Sequence, residues 1–258
     1  SAPAPISAML SGVVIKILGV YGLSRIVFNI IGFNPKISTV FVSLGIVSMV
    51  VGVLLAIGQW DFKRLLAYHS ISQIGYVVFG LGLGTPLGIL GGLFHLFNHS
   101  IFKSLLFLNA GAVEYKTGTR NLKELKNLKV YMPYTWVSCL VASFSIAGVP
   151  PFCGFWSKLM IIMAAIQLKN FWGAIICILV SLLTLASFLK VQNYVFLRKA
   201  DENKEMKEVG LSLLFPMLIL ALVCVLVGLF FLPTLKNLIE PAEKILSLGK
   251  KYINLVIK

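Results

Sequence analysis

Three protonatable side chains stand at helical spacing in the segment GGLFHLFNHSIFKSLLFLNAG. His95, His99 and Lys103 follow one another at every fourth residue. This spacing places them along one face of a helix, about 6 Å apart per step. Histidine titrates near neutrality and can therefore take up and release protons under ordinary conditions. A stacked row of such groups is what a water-linked proton relay requires. We favour a relay over the alternative, three unrelated polar residues that face a neighbouring helix.

Two further lysines lie deep in apolar segments. Lys16, in SGVVIKILGVYG, is too far from the start of its segment to reach the interface easily. A lysine at the centre of a spanning helix costs about 2.5–3.5 kcal/mol on insertion scales. Lys158 follows AGVPPFCGFWSK, where Pro150 and Pro151 must interrupt the helix. Broken helices at membrane depth are tolerated where they are buried in protein or line a wet cavity. Because burial disfavours a charged amine, both lysines could exchange a proton.

Three other ionisable residues lie nearer the ends of their segments, and two of them have two interpretations each. His69, in LLAYHSISQIGY, follows Lys63-Arg64 by about one turn and is either an interfacial residue or a proton uptake point. Lys190 lies about two turns from the end of its segment and suits either snorkelling to the interface or an accessory role in transport. Arg25 is close enough to a segment end to reach the interface. The sequence has no acidic residue in the middle of an apolar segment, so the buried lysines lack an obvious carboxylate partner.

The composition is that of a protein embedded in a lipid bilayer. Of 258 residues 58% are hydrophobic and 12% charged, and the mean hydropathy is +0.93. Soluble domains carry about 25% charged residues. The net charge of +14 would suggest a nucleic-acid partner in a soluble protein. Here the basic residues concentrate between apolar blocks, as membrane orientation requires. We therefore expect an all-α polytopic membrane protein that contacts lipid and binds no nucleic acid.

The cysteines give no sign of a metal or redox site. Cys139, Cys153, Cys177 and Cys224 lie in apolar segments without the spacing of metal ligands. The chain has no cofactor motif either. We expect no catalytic chemistry, metal or cofactor in this chain, and any redox centre would belong to partner subunits.

Seven apolar segments are long enough to span a bilayer, and the fifth is broken by Pro150-Pro151. They cover residues 6–31, 37–58, 65–83, 87–113, 133–168, 171–197 and 209–232. Residues 1–232 would form a transmembrane ion-translocation domain. Residues 233–258, which include EKILSLGKKYINLVIK, would form an amphipathic C-terminal tail along the membrane surface.

Alternate loops differ strongly in charge. One set holds only Lys36 and Lys169 before the tail. The opposite set holds Lys63, Arg64, Lys116, Arg120, Lys123, Lys126, Lys129, Arg198, Lys199, Lys204 and Lys207. Because basic loops stay on the cytoplasmic side, we expect a cell-membrane protein with Ser1 in the cytoplasm and the C-terminus outside.

The motifs resemble the antiporter-like membrane subunits shared by Mrp-type sodium/proton antiporters, respiratory complex I and energy-converting membrane-bound hydrogenases, which include sulfur-reducing complexes. The matching stretches are APAPISAMLSGVVIKILGVYGLSR, DFKRLLAYHSISQIGY, HLFNHSIFKSLLFLNAGAVEYKTGTRNLKEL and AGVPPFCGFWSK. They cover roughly residues 1–158, and the last hundred residues agree in hydropathy only. LAYHSISQIGY and TGTRNLKEL resemble the Mrp and hydrogenase branch more than mitochondrial-type subunits.

The resemblance implies a fourteen-helix fold with two inverted five-helix repeats, each containing a broken helix. This chain would supply the eighth to fourteenth helices, which are the second repeat and its flanking helices. Lys16 then matches the family's central lysine, and His95, His99 and Lys103 match the relay on its eleventh helix. Lys158 matches the lysine on the broken twelfth helix that leads to the outside.

The family's first half, with its glutamate–lysine pair, has no counterpart here. We therefore expect the C-terminal half only, as part of a longer polypeptide or as a separately encoded half-subunit. In the second case a partner chain would supply the carboxylate and the uptake path.

The expected function is proton or sodium translocation in a multi-subunit redox-driven complex of the hydrogenase or complex I type. Iron–sulfur or nickel–iron centres would lie in partner subunits. One alternative is an Mrp-type antiporter subunit without a redox partner. Another is a degenerate structural half-subunit that conducts nothing, although degeneration would remove buried charges first.

Overall fold

The protein is built from helices that run back and forth through one bundle. The computed structural model describes residue 6 and residues 8–199, 206–249 and 251–252. Within these residues no strand forms, and a single β-bridge joins Asp61 to Asn121. The expectation of an all-α fold is confirmed. The helices are α1 (Ile15–Arg25), α2 (Pro35–Ile57), α3 (Phe62–Gly82), α4 (Pro86–Thr117), α5 (Leu128–Tyr131), α6 (Pro133–Ala147), α7 (Cys153–Gln167), α8 (Phe171–Val191), α9 (Leu211–Leu229), α10 (Phe231–Thr234) and α11 (Glu240–Ser247).

Four π-helical segments extend or join these helices. Two flank α1, one follows α8 and one joins α10 to α11. Their bounds are Met9–Val14, Ile26–Gly32, Gln192–Leu197 and Leu235–Ile239.

Each predicted span contains helix, but the helices differ in how apolar they are. Among the described residues, four segments are long and apolar enough to cross a membrane. They are Ile15–Gly32, Pro35–Ile57, Phe171–Leu197 and Leu211–Leu229. α3 and α4 have sufficient length, but their polar residues lower the hydropathy, and those residues are buried inside the bundle. α6 and α7 are shorter apolar helices on either side of the break. The number of spans remains a prediction.

Capping residues explain where the long helices begin. The side chains of Asn34, Asp61 and Thr85 accept hydrogen bonds from backbone amides three residues later, at 2.9–3.1 Å. Such caps satisfy amides that have no partner within the helix. Pro35 and Pro86 occupy the first helical positions, where the missing amide costs nothing.

The fifth predicted span is divided into two helices, as the double proline indicated. α6 ends at Gly148, whose φ of +82° is a left-handed conformation that glycine adopts freely. α7 begins at Cys153, after Pro150-Pro151. The two halves touch closely, since a Cβ atom on Gly154 would lie 1.8 Å from the Ser145 carbonyl oxygen.

α4 forms the centre of the bundle. It packs against α3, α6, α7, α9 and the first π-helical segment, and it is buried along most of its length. α2, α8 and α9 expose large apolar side chains such as Leu44, Leu182 and Leu222. Polar residues therefore lie inside the bundle and apolar residues outside, as expected for a protein in lipid.

The predicted tail begins with α10 and α11. Asn29 joins the tail to the π-helical segment Ile26–Gly32, because its Nδ2 atom donates hydrogen bonds to the carbonyls of Ile245 and Gly249, both at 3.0 Å. Leu246 of α11 is buried against the bundle. Residue 250 and residues 253–258 of the predicted tail lie outside the described residues. The division of the chain at residue 232 remains a prediction.

The close contact across the break yields a stability prediction. Gly154→Ala would place a methyl group against the Ser145 carbonyl. Overpacking of this kind typically costs about 1–3 kcal/mol of folding free energy, which lowers the thermal unfolding midpoint by about one to several degrees. We expect a lower thermal midpoint of the detergent-solubilised protein. Gly19→Ala is the matched control, since a Cβ atom there meets nothing within 4 Å. Equal midpoints for the two variants would contradict the close approach.

Candidate functional site

The relay predicted on α4 lies in the core of the bundle. His95, His99 and Lys103 project from consecutive turns, and all three have no solvent exposure. Their shared burial fits the helical-face expectation. Their role in ion transfer remains a prediction.

His95 connects three helices. Its Nδ1 atom lies 2.9 Å from the Ser157 hydroxyl oxygen of α7. Its Nε2 atom lies 3.2 Å from the Gln73 side-chain oxygen of α3. Because that oxygen can only accept, Nε2 is the donor and Nδ1 is free to accept from Ser157. The ring centroid is also 5.5 Å from that of Tyr76. His95 thus stands where α3, α4 and α7 meet.

Several buried polar atoms around this row have no hydrogen-bond partner among the described residues. They include both ring nitrogens of His99, Nδ1 of His69, Nε2 of Gln73, Oδ1 of Asn98 and Oε1 of Gln192. Buried polar groups are almost always satisfied in proteins, and ordered water commonly satisfies them. Of these buried atoms, those of His99 and Asn98 lie on α4 and that of Gln73 lies beside His95, which favours internal hydration along the row.

Lys103 and Lys16 meet on the same side of α4. The Lys103 ammonium donates to the Leu66 carbonyl of α3 and lies 5.3 Å from the Phe107 ring centroid. Lys16 is half-buried on α1 and interacts electrostatically with His99 and Lys103. The structure therefore places Lys16 beside the row on α4, although it comes from a different helix.

Lys158 is held by the end of the broken helix. Its Nζ atom donates to the carbonyls of Ile146 at 2.8 Å and Ala147 at 3.4 Å. These are the last carbonyls of α6, where a helix carries partial negative charge and lacks its own donors. The same ammonium lies 4.6 Å from the Tyr76 ring centroid. Pro150 and Pro151 thus create the binding site for Lys158 by ending α6 in front of it.

The ion pairs among the described residues lie away from Lys103 and Lys158. Within the described residues, neither Lys103 nor Lys158 forms an ion pair. Acidic side chains at the ends of α3 and α4 bind basic residues there: Glu114 of α4 binds Lys63 of α3 at 2.5 Å, and Asp61, which caps α3, binds Arg120 at 3.0 Å.

His69 lies inside the bundle. It is fully buried, and its Nε2 atom lies 2.8 Å from the Ser187 hydroxyl oxygen of α8. It interacts electrostatically with Lys103, Lys158 and Lys190. Of its two interpretations, this position favours proton transfer.

Lys190 binds the end of α2. Its Nζ atom donates to the carbonyls of Ile57 at 2.6 Å and Gln59 at 2.7 Å, and it lies 4.8 Å from the Trp60 ring centroid. These contacts favour an anchoring role for Lys190. Arg25 similarly lies over the ring of Tyr252, at 4.3 Å.

Three site residues were missed in the sequence. Gln73 and Tyr76 follow His69 by four and seven positions, so the spacing rule applied to α4 would have placed all three on one face of α3. Tyr76 donates to the Cys177 carbonyl at 2.6 Å and lies 3.0 Å from the Ser181 hydroxyl oxygen. Ser157 precedes Lys158 and had no distinguishing signal.

The anchoring role of Lys190 makes a testable prediction. Lys190→Met removes two hydrogen bonds from a charged donor, each worth about 1.5–3 kcal/mol. We expect Lys190→Met to unfold at a lower thermal midpoint, while the number of ions moved per turnover of the complex stays unchanged. The exposed Lys36 of α2 provides the control, as Lys36→Met. Lost ion movement at an unchanged midpoint would instead assign Lys190 to transport.

Comparison with known proteins agrees with this geometry. Residues 1–184 match the family described as NADH:quinone oxidoreductase/Mrp antiporter, transmembrane. An uncharacterized protein of Methanocaldococcus jannaschii is 43% identical over 207 residues, which are 79% of this chain and 43% of that protein. A curated Na(+)/H(+) antiporter protein of Alkalihalophilus pseudofirmus is 37% identical over 259 residues, covering 99% of this chain and 52% of that protein.

Two solved structures have the same fold. A chain of the Mrp complex from Dietzia sp. superposes with a TM-score of 0.88 at 29% identity, covering 99% of this chain and 56% of that one. A chain of the membrane-bound sulfane sulfur reductase, an archaeal respiratory complex, gives 0.79 at 32% identity, covering 87% and 40%.

The chain spans about half the length of the curated relatives it matches. The family match covers most of the chain, and the fold agrees with it. The chain is therefore an integral multi-pass membrane protein that belongs to the NADH:quinone oxidoreductase/Mrp antiporter family of transmembrane subunits.

Proposed function

We propose that this chain translocates protons within a multi-subunit membrane complex, through the row on α4 and Lys158. The observation that supports this most is the way the buried lysines are bound. Lys103 and Lys158 donate to backbone carbonyls, and within the described residues no carboxylate neutralises them. A carbonyl favours the charged ammonium less than a carboxylate does, because it carries only a partial negative charge. Each lysine can therefore lose and regain a proton.

The charges along this row are close enough to influence one another. His99 interacts with Lys16 and Lys103, and His95 interacts with Lys158. In a low-dielectric core, a proton gained at one site disfavours a second positive charge nearby. Protonation of Lys103 would therefore favour release from the next group along the row. This coupling transfers a proton stepwise towards Lys158.

Lys158 is the proposed release site. It lies at the helix break, where backbone groups freed from the helix can bind water or a cation. We propose that protons leave from here to the side of the membrane opposite the basic loops. Ser1 would then be cytoplasmic and the C-terminus outside, as the loop charges favour.

The driving reaction has two candidates. Our proposal is a redox-driven complex, in which partner subunits hold iron–sulfur or nickel–iron centres. The 32% identity to a chain of the sulfane sulfur reductase supports it. The second candidate is sodium/proton exchange without redox chemistry, supported by the 37% identity to an Na(+)/H(+) antiporter protein. The same row of groups serves both, since only the source of the driving charge differs.

Other membrane subunits are the proposed partners. The chain corresponds to about half of its relatives, so a further segment or a separate chain would complete the translocation path. The half-buried Lys16 on α1 marks the side of the bundle where that part would dock.

The proposal is tested with the intact complex in inverted membrane vesicles. Lumen acidification is followed with a pH-sensitive dye after addition of an electron donor, and its reversal after a pulse of NaCl. Acidification driven by the donor supports the redox-driven complex, while reversal by sodium of a pH gradient that is imposed by an acid jump without a donor supports exchange.

The same assay tests the residues. We expect Lys158→Ala to lower proton movement per turnover at least about tenfold, because it removes the release site, and Lys103→Ala to lower it by a smaller factor, because Lys103 is one member of the row. The exposed Lys169 provides the control, as Lys169→Ala. Normal movement in both core variants would mean that the chain is a structural spacer.

A further inference from the structure

A second row of polar side chains crosses the core beside the one on α4. On α8, hydroxyl groups recur every third residue, at Ser181, Thr184 and Ser187. Thr184 and Ser187 are buried and Ser181 is half-buried, although α8 belongs to one of the most apolar spans. These hydroxyls face inward, towards the face of α3 that carries His69 and Tyr76.

Both ends of the hydroxyl row are bonded to α3. Ser187 lies 2.8 Å from His69 Nε2, and Ser181 lies 3.0 Å from the Tyr76 hydroxyl oxygen. Between them, Thr184 donates to the Val180 carbonyl of its own helix at 2.7 Å, which leaves its oxygen free to accept. Serine and threonine in a spanning helix usually bond in this way to the preceding turn. Ser181 and Ser187 differ, because their hydrogen bonds cross to titratable side chains.

The spacing suits proton transfer through water. Side chains three residues apart on a helix are about 5–6 Å from each other, a gap that one water molecule bridges. A hydroxyl both donates and accepts, so it can pass a proton and stay neutral. The row starts at His69, whose Nδ1 atom is buried with no partner among the described residues. It ends at Tyr76, whose ring lies 4.6 Å from the Lys158 ammonium.

We propose that His69, Ser187, Thr184, Ser181 and Tyr76 form a second proton route that runs parallel to the row on α4 and delivers protons to Lys158. The inference rests on the proposed function of Lys158 as the release site. It extends that function, because it assigns roles to His69 and Tyr76 of α3 and to the hydroxyls of α8.

Protons balance at each step of the route. A hydronium ion on the side of the basic loops protonates His69 at Nδ1, and the imidazolium releases its Nε2 proton to the Ser187 hydroxyl. Bridging waters, Thr184 and Ser181 each accept one proton and release another. Tyr76 does the same through its hydroxyl, and a last water protonates the neutral amine of Lys158. No electrons move. The transfer leaves His69 as its Nδ1–H tautomer and reverses the direction of the hydroxyl hydrogen bonds, so the ring and the hydroxyls must reorient before the next proton enters.

The proposal predicts how two substitutions, each of which interrupts one route, combine in their effect on proton movement. Thr184→Val replaces the hydroxyl with a methyl group of similar shape and interrupts the α8 route, while His99→Leu interrupts the α4 row. With two parallel routes, we expect each variant alone to lower proton movement per turnover by about two- to threefold. The double variant should lose at least about tenfold, since coupled sites are not additive. The matched control is Thr39→Val, because Thr39 is exposed and also bonds to its own preceding turn, at 3.0 Å.

The experiment uses the intact complex in vesicles, with subunit content and thermal midpoint recorded for each variant. The second route is overturned if Thr184→Val behaves like Thr39→Val in both the wild-type and His99→Leu backgrounds while Lys158→Ala still blocks movement. In that outcome the proposed function stands. If Lys158→Ala moves protons normally, the proposed function fails and the route fails with it.

Two further variants distinguish transfer from packing. If Thr184→Val does not assemble, Ser187→Ala and Tyr76→Phe interrupt the same route and are judged by the same criteria. A purely structural row would lower the thermal midpoint and leave proton movement per turnover unchanged in assembled complexes. That result would also overturn the proposal.

Discussion

An ammonium group buried in a bilayer needs oxygen atoms to bind, and in this protein backbone carbonyls supply them. Lys158 binds the carbonyls of Ile146 and Ala147, and Lys103 binds that of Leu66. Carbonyls within a helix are normally used by the helix itself, so a lysine can bind them strongly only where a helix ends or is crowded by a neighbour. The double proline provides such an end in the middle of the bundle. The broken helix, the tight glycine contacts around it and the position of Lys158 all depend on this requirement.

The same requirement links structure to transport. Carbonyls stabilise the protonated amine less than a carboxylate would, so the lysines can change charge while the bundle stays packed. The surrounding histidines, hydroxyls and amides are turned inward, and the apolar side chains of α2, α8 and α9 face outward. Polar groups in the core therefore cost little as long as water or neighbouring side chains satisfy them. This arrangement requires no carboxylate beside Lys103 or Lys158.

Helical spacing predicted the parts of the site that lie on one helix. It placed His95, His99 and Lys103 on one face, and proline chemistry located the break before Lys158. The site contacts that the sequence did not predict join segments far apart in the chain. His69 contacts Ser187 across 118 residues, and His95 contacts Ser157 across 62 residues. Such pairs depend on how helices pack, which periodicity does not encode. The carbonyl partners of Lys158 were also beyond prediction, because every residue has a carbonyl and only the turn geometry frees one.

The central claim is that the buried lysines act by exchanging a proton, and replacement of Lys158 by arginine tests it most directly. Arginine keeps the positive charge and can still bind carbonyls, but it does not deprotonate in proteins. Proton movement per turnover would be compared for the wild type and for the Lys158→Arg and Lys158→Ala variants of the intact complex in vesicles. The account predicts that arginine fails as completely as alanine. Wild-type movement in Lys158→Arg would show that only a fixed charge is needed and would contradict it.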